Sequence, residues 1–189
     1  MIRLISVLLI SLLLVACGGH KEVAVTETYA DALDRTAKHR TVDPDSREEA
    51  AAISRLQAFL SELTADRIRA DIRDVYAPGV FLNDTLKTVE GVDALEEYFI
   101  ETVQRTDFVR VRFDDTARSG RDYYLRWFME YRSDRINGGA VVASVGMTHI
   151  RFDEAGKVVL HQDYWDSADG FFERLPVLGW MIRSVKSRL

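Results

Sequence analysis

The chain has 189 residues, 47% of them hydrophobic, with only 3 prolines, which fits one sizeable core and short extensions. A formal charge of −5 leaves no basic face in the bulk of the chain to neutralise phosphates, and this excludes nucleic acid as the partner. One cysteine excludes an internal disulfide framework and a thiolate zinc cluster.

At the N-terminus, Met1-Ile2-Arg3 is a short positive start and Leu4 to Leu14 is almost wholly apolar. Leu14-Val15-Ala16-Cys17 then runs into Gly18-Gly19. The apolar run is shorter than the ~20 residues a helix needs to cross a bilayer, and small residues before Cys17 suit a cleavage site. The pattern resembles a bacterial lipoprotein signal with its lipobox; a plain export signal or a short membrane anchor is the alternative. The resemblance implies removal of residues 1–16, lipidation of Cys17 and a lipid-anchored chain in the cell envelope. The absence of Asp after Cys17 resembles lipoproteins sent to an outer membrane, on its periplasmic face where the organism has one. Residues 17–43 read as a polar tether, with a short helix around Thr28 to Lys38.

From Asp43 the pattern becomes that of a folded domain. Ser46-Arg47-Glu48-Glu49 has the spacing of a capping box, and Ile53, Leu56, Leu60 and Leu63 recur at helical spacing. Ile68, Ile72 and Val75 predict a second helix over about Ala65 to Val75, broken by Ala77-Pro78-Gly79. Val80-Phe81-Leu82 predicts a short strand ending at Asn83-Asp84, where a turn is expected. Gly91 leads a third helix, roughly Val92 to Gln104, that buries Val92, Leu95, Phe99 and Val103.

The period then changes to two. Phe108 to Asp114 alternates Val109, Val111 and Phe113 with Arg110 and Arg112. Asp122 to Asp134 places Tyr123, Leu125, Trp127, Met129 and Tyr131 on one side. Asn137-Gly138-Gly139 is a hairpin signal, because both residue types tolerate positive φ. Val141 to Phe152 and Val158 to Asp166 complete the set, joined by Asp153-Glu154-Ala155-Gly156. Helices followed by a curled meander of strands make the fold α+β.

The order of these elements, closing on His161-Gln162-Asp163-Tyr164-Trp165-Asp166, resembles the SnoaL-like branch of the nuclear transport factor 2-like superfamily over about Ser46 to Asp169. Residues 44–169 would then be the SnoaL-like domain. The resemblance implies a cone-shaped fold in which N-terminal helices pack on a curved antiparallel sheet around an apolar pocket, and a homodimer through the sheet. It implies no cofactor. In the cyclase branch an aspartate on the final strand is the general acid or base, which corresponds to Asp163 here. A pocket histidine on the preceding strand corresponds to His149, a match that the Asp153-Gly156 turn, one residue longer than usual, leaves less firm than the one to Asp163. Members include enzymes, transport adaptors and ligand binders, so the fold leaves the function open.

Alternation along the last strand puts His161, Asp163 and Trp165 on one face and Gln162, Tyr164 and Asp166 on the other, read as sheet exterior or interface. A carboxylate crowded by Trp127, Tyr131 and Trp165 loses hydration, which favours its protonated form and makes a better base. Such a base takes a proton from a carbon next to a carbonyl when a donor stabilises the oxygen; His149, Tyr76 and Tyr131 are the unranked donors. A ketosteroid isomerase does this with an aspartate base and an oxyanion hole of tyrosine and protonated aspartate. No match to that donor pair is legible in the sequence. The structural alternative has Asp163 holding a neighbouring strand or Arg126. Alternation also keeps His149, His161, Asp163 and Asp166 from converging on a metal, so none is assigned.

Residues 170–189 form a basic, amphipathic segment that either lies on an anionic membrane or packs on the domain. Two functional readings follow. One is an envelope enzyme of the cyclase or isomerase kind acting on a small apolar carbonyl compound, with Trp127, Tyr131, His161, Trp165 and Tyr76 forming the substrate pocket. The other is a non-catalytic module holding a hydrophobic ligand or a partner protein.

Overall fold

Ser46 starts the helical layer of the domain: its hydroxyl accepts from the Glu49 amide (3.0 Å), while the Glu49 carboxylate reaches back to the Asp45 amide (2.7 Å). The computed structural model describes residues 24–189, so the stretch read as a signal and Cys17 lie outside the described residues. Before the cap comes α1 (Ala24–Ala37), and after it α2 (Arg47–Ser61) and α3 (Ala65–Val75), the latter capped by Thr64. β1 (Tyr76–Asn83) follows α3 without a break, and a register shift between Tyr76 and Phe81 absorbs the Pro78-Gly79 pair that the sequence marks as a breaker. β2 (Thr88–Glu90), unforeseen because of its length, pairs with β1, and Gly91 at φ 86° turns the chain into α4 (Val92–Gln104).

The meander comprises β3 (Phe108–Ser119), β4 (Asp122–Arg132), β5 (Val142–Phe152) and β6 (Val158–Trp165). Between β4 and β5, Asn137, Gly138 and Gly139 all take positive φ, as the hairpin signal requires. The six strands lie in the order β2-β1-β6-β5-β4-β3. The sheet is mixed rather than purely antiparallel, because the returning β6 lies parallel to β1 while its other neighbour β5 is antiparallel.

Helical stripes and one sheet face bury each other. Leu56, Phe59, Ile68, Ile72, Leu95 and Phe99 pack with Tyr123, Leu125, Ile150 and Phe152. Each such side chain contributes roughly 1.5–3 kcal/mol when fully buried. A second cluster, Val109, Tyr131 and Val142, sits further along the same face. The opposite sheet face exposes Val145, Met147 and Tyr164.

The stretch read as a tether is folded in its later part. Residues Ala32–Leu189 form one compact unit, with Ala32 and Val42 buried. Arg151 donates to the Leu33 carbonyl (2.7 Å) and Arg121 to the Ala37 carbonyl (2.6 Å), satisfying the last turn of α1. Polarity hid this docking, because arginines on distant strands and not an apolar stripe hold the helix end.

After β6, Asp166 caps the short α5 (Ser167–Gly170), a single 3₁₀ turn covers Phe172–Arg174, and α6 (Pro176–Lys186) ends the chain's regular structure. Among the described residues no helix is long and apolar enough to cross a membrane.

Candidate functional site

His161, Asp163 and Trp165 share one face of β6, as period two demands. Across the ladder Ile150 pairs with His161, Thr148 with Asp163 and Gly146 with Trp165. One strand further, Leu125 pairs with Thr148 and Trp127 with Gly146. Residues on this face stand either in the core or along a cavity of about 390 Å³ between α2, α4 and the sheet. Leu60, Phe99, Val111, Phe113 and Met129 make its walls apolar, and Phe171 closes on it from beyond β6.

At one end of this cavity lies a continuous hydrogen-bonded chain. The Tyr76 hydroxyl meets His161 Nδ1 at 3.1 Å, and His161 Nε2 meets Asp163 Oδ1 at 3.0 Å. The Thr148 hydroxyl donates to the same Oδ1 at 2.5 Å, and Trp127 Nε1–H donates to Thr148 Oγ1 at 2.8 Å. Burial, then the charge of Asp163, pushes the Tyr76 phenol well above its ordinary range. It therefore stays a proton donor. With Nδ1 accepting from it, the ring proton of a neutral His161 sits on Nε2 and points at Asp163. Both of these donors fall on Oδ1, and among the described residues no group donates to Oδ2. Asp163 thus has one oxygen anchored and one without a donor among the described residues, in a side chain that is 17% exposed and lines the cavity.

The aromatic walls are tied as well. Tyr131 donates to the Gly170 carbonyl (2.7 Å) and Trp165 to the Asp84 carbonyl (2.7 Å). Trp127 lies so close over Gly146 that a Cβ there would come within 2.3 Å of its ring. Trp165 lies over Gly170 in the same way, at 2.5 Å.

A second carboxylate, which the sequence places only in a turn, faces the same cavity. Asp84 does make the turn, with Oδ1 accepting from the amides of Leu86 (2.9 Å) and Lys87 (2.8 Å). Its Oδ2 accepts from the Tyr98 hydroxyl, and both side chains line the cavity. Burial raises the Asp84 carboxyl above its ordinary range, and the charge of Asp163 adds to the rise, against the pull of its three donors. Burial and then Asp84 push the Tyr98 phenol up in turn. The only sequence signal for Tyr98 is its place beside Phe99 on the buried side of α4.

His149 is not in this site. It pairs across the ladder with Gln162, on the face opposite Asp163. There it stacks on Tyr124 (4.9 Å between centroids) and contacts Asp122 Oδ1 at 2.7 Å. The β5 residue that stands opposite Asp163 is Thr148, and the register of β5 on β6 shifts between Arg151 and Phe152, beside the turn. Burial lowers the His149 ring's pKa, opposed by Asp122. Burial would raise Asp122, but hydrogen bonds from Arg151 and His149 outweigh it and hold the carboxyl below its usual range.

Gln162 is also placed differently from its reading as sheet exterior. It is buried, and its amide donates to Asn83 Oδ1 at 3.0 Å. Arg126 pairs with Asp114 and Asp115, not with Asp163. Among the described residues no group of three His, Cys, Asp or Glu side chains could hold a metal ion.

No curated protein matches the chain. Solved structures match its fold at low identity. An LEH-like epoxide hydrolase from M. tuberculosis is 17% identical, with a TM-score of 0.55 over 76% of this chain and 96% of that one. TsrD from Streptomyces laurentii is 15% identical, with a TM-score of 0.57 over 72% of this chain and all of that one. A protein with a ketosteroid isomerase-like fold from Catenulispora acidiphila, solved with trimethylamine, is 14% identical, with a TM-score of 0.56 over 66% of this chain and 93% of that one. The SnoaL-like domain profile matches residues 56–161, which run from the core of α2 to the histidine beside Asp163. The chain therefore belongs to the SnoaL-like family of the nuclear transport factor 2-like fold.

Proposed function

We propose that this domain is an acid–base catalyst acting on a small apolar carbonyl compound, with Asp163 as the base. The observation that carries the reading is the asymmetry of Asp163: Oδ1 takes both Thr148 and His161, while among the described residues Oδ2 takes no donor, beside an apolar cavity. An anchored carboxylate with one unengaged oxygen is what abstraction of a carbon-bound proton needs. The C–H electron pair moves into a carbon–carbon double bond, the carbonyl pair moves to oxygen, and Asp163 holds the proton. In a substrate with a β,γ double bond, returning the proton to the γ-carbon of the dienolate gives an isomerisation. Attack of the deprotonated α-carbon on a second carbonyl of the same molecule closes a ring, and Asp163 returns its proton to the new alkoxide.

Asp84 and Tyr98 are the groups we assign to the substrate oxygen. Burial holds the Tyr98 phenol in its protonated form, and Asp84, which accepts from that hydroxyl, orients it; turned toward a bound carbonyl, the phenol donates to the developing oxyanion. Tyr76 and His161 act as positioning residues that fix the tautomer presented to Asp163. The other aromatic groups have their polar atoms engaged within the wall, so they contribute shape.

The same rigid, apolar shape also supports the second reading, a module that binds a hydrophobic ligand without changing it. Asp163→Asn separates the two in a turnover and binding screen of small apolar ketones and aldehydes. Catalysis predicts turnover by the wild type that falls at least about 100-fold in the variant while binding persists. Turnover that survives the substitution removes Asp163 as base, and binding without turnover leaves the module.

We further propose that Cys17 is lipidated and carries the domain on a membrane of the cell envelope. The support is the Leu14-Val15-Ala16-Cys17 sequence. The mass of the N-terminal peptide from the native producer tests it: a diacylated Cys17 is expected, and an unmodified or uncleaved chain refutes it.

A further inference from the structure

Surface helices bury their apolar side and turn their polar side to water. α6 does the reverse. Its small and charged side meets the protein: Gly179 is buried, so close to the Glu173 carbonyl that a Cβ would come within 2.1 Å of it. Arg183 donates to that same carbonyl (2.6 Å), and Lys186 pairs with the Glu173 carboxylate (2.5 Å). The other side carries Val177, Trp180, Met181 and Val185, at helical spacing, and they are 75%, 68%, 52% and 61% exposed. A stripe of four large apolar side chains on one short helix is not ordinary surface.

We infer that α6 is an interfacial helix that lies on an anionic bilayer, with Val177, Trp180, Met181 and Val185 entering the headgroup–acyl boundary. Charge complementarity selects this occupant. Residues 170–189 hold Arg174, Arg183, Lys186 and Arg188 against one acid, Glu173, in a chain whose net charge is −5. Arg174 pairs with Asp169 and Lys186 with Glu173, so Arg183 and Arg188 carry the excess charge toward the headgroups. Trp180 belongs to the residue type that settles at the headgroup level, and the helix is too short to span a bilayer. A second copy is the poorer fit. Eleven residues make a stripe ~16 Å long and ~10 Å wide, on the order of 160 Å² and well below the ~800 Å² per partner of a stable protein interface. Pro176 begins α6 two residues after the turn that follows Phe171, a cavity residue, so the docked helix would hold that side of the cavity close to the lipid.

Neither the chemistry at Asp163 nor the lipidation of Cys17 is required for this. The test uses the full chain in phosphatidylglycerol vesicles whose acyl chains are brominated, read by tryptophan fluorescence. The difference between wild type and Trp180→Phe isolates the one strongly exposed indole. Bromolipid should quench that difference signal. Val177→Ser/Met181→Ser/Val185→Ser, all exposed positions that leave the core untouched, should reduce the quenching about tenfold or more, and replacing phosphatidylglycerol by phosphatidylcholine should weaken it. All arms share whatever attachment residues 1–23 provide, so a failure here leaves the Cys17 reading standing. A Trp180 signal that bromolipid does not quench, or quenching unchanged by the serine variant, overturns the inference. So does a lipid-free doubling of mass that Trp180→Ser abolishes, since it assigns the stripe to a second copy.

Discussion

Thr148 offers the sharpest test of the hydrogen-bonded chain at Asp163, because its hydroxyl both accepts from Trp127 and donates to Asp163 while the residue is 3% exposed. Thr148→Val keeps the shape and removes both bonds. It leaves the buried indole N–H without its acceptor, about 1–3 kcal/mol, and takes a charge-assisted bond from Asp163, about 1.5–3 kcal/mol. Partial access of water to Asp163 and the extra buried methyl, about 0.8 kcal/mol, offset part of this. A net loss of about 2–3 kcal/mol is expected. Thr148→Ser keeps both bonds and loses one methyl group, about 1 kcal/mol. Urea unfolding followed by tryptophan fluorescence, with the slope m unchanged, measures both. If Thr148→Val proves as stable as Thr148→Ser or more so, apolar packing and not the hydrogen-bonded chain holds the site.

Further outcomes follow from the same geometry. Gly146→Ala forces the Trp127 ring off the sheet and should destabilise by about 1–3 kcal/mol, with a shifted tryptophan spectrum; an unshifted, fully stable variant contradicts the packing. Asp84 binds its proton more tightly when folded, so its contribution is full below its ordinary value of 3.8 and is lost as pH rises through the raised value. The stability of Asp84→Asn relative to wild type should therefore grow over that rise, and a constant difference in urea midpoint argues against it. Asp122 is the opposite case: its contribution is present above 3.8 and is lost as pH falls through its lowered folded value. Asp122→Asn should flatten that acid limb, and a limb unchanged by the substitution would assign it to other groups.

Period and caps carried most of the fold into view. The Ser46 cap, the stripes of α2 to α4 and the alternation of β3 to β6 are local patterns whose physical cause lies within a few residues of each other. What stayed hidden depends on partners far along the chain. The α1 end is held by Arg121 and Arg151 more than eighty residues away, and the parallel seating of β6 beside β1 is set by closure of the sheet. At the site, alternation alone located His161, Asp163 and Trp165. It could not fix register between strands, so Thr148 went unnoticed, and the resemblance to the cyclase branch pointed to His149, which lies on the other face. Asp84 and Tyr98 meet only because a turn and a helix converge on one cavity, a juxtaposition that no spacing in the sequence encodes.

Solvent deuterium exchange at the carbon next to the carbonyl tests the central claim most directly, since it requires only a base, a bound ketone and no completed reaction. Apolar ketones incubated with the protein in D₂O and read by mass spectrometry should gain deuterium with wild type and with Tyr76→Phe at a reduced rate. With Asp163→Asn they should gain none above buffer. Exchange at the wild-type rate in Asp163→Asn would show that the proton leaves by another route and that Asp163 is not the base.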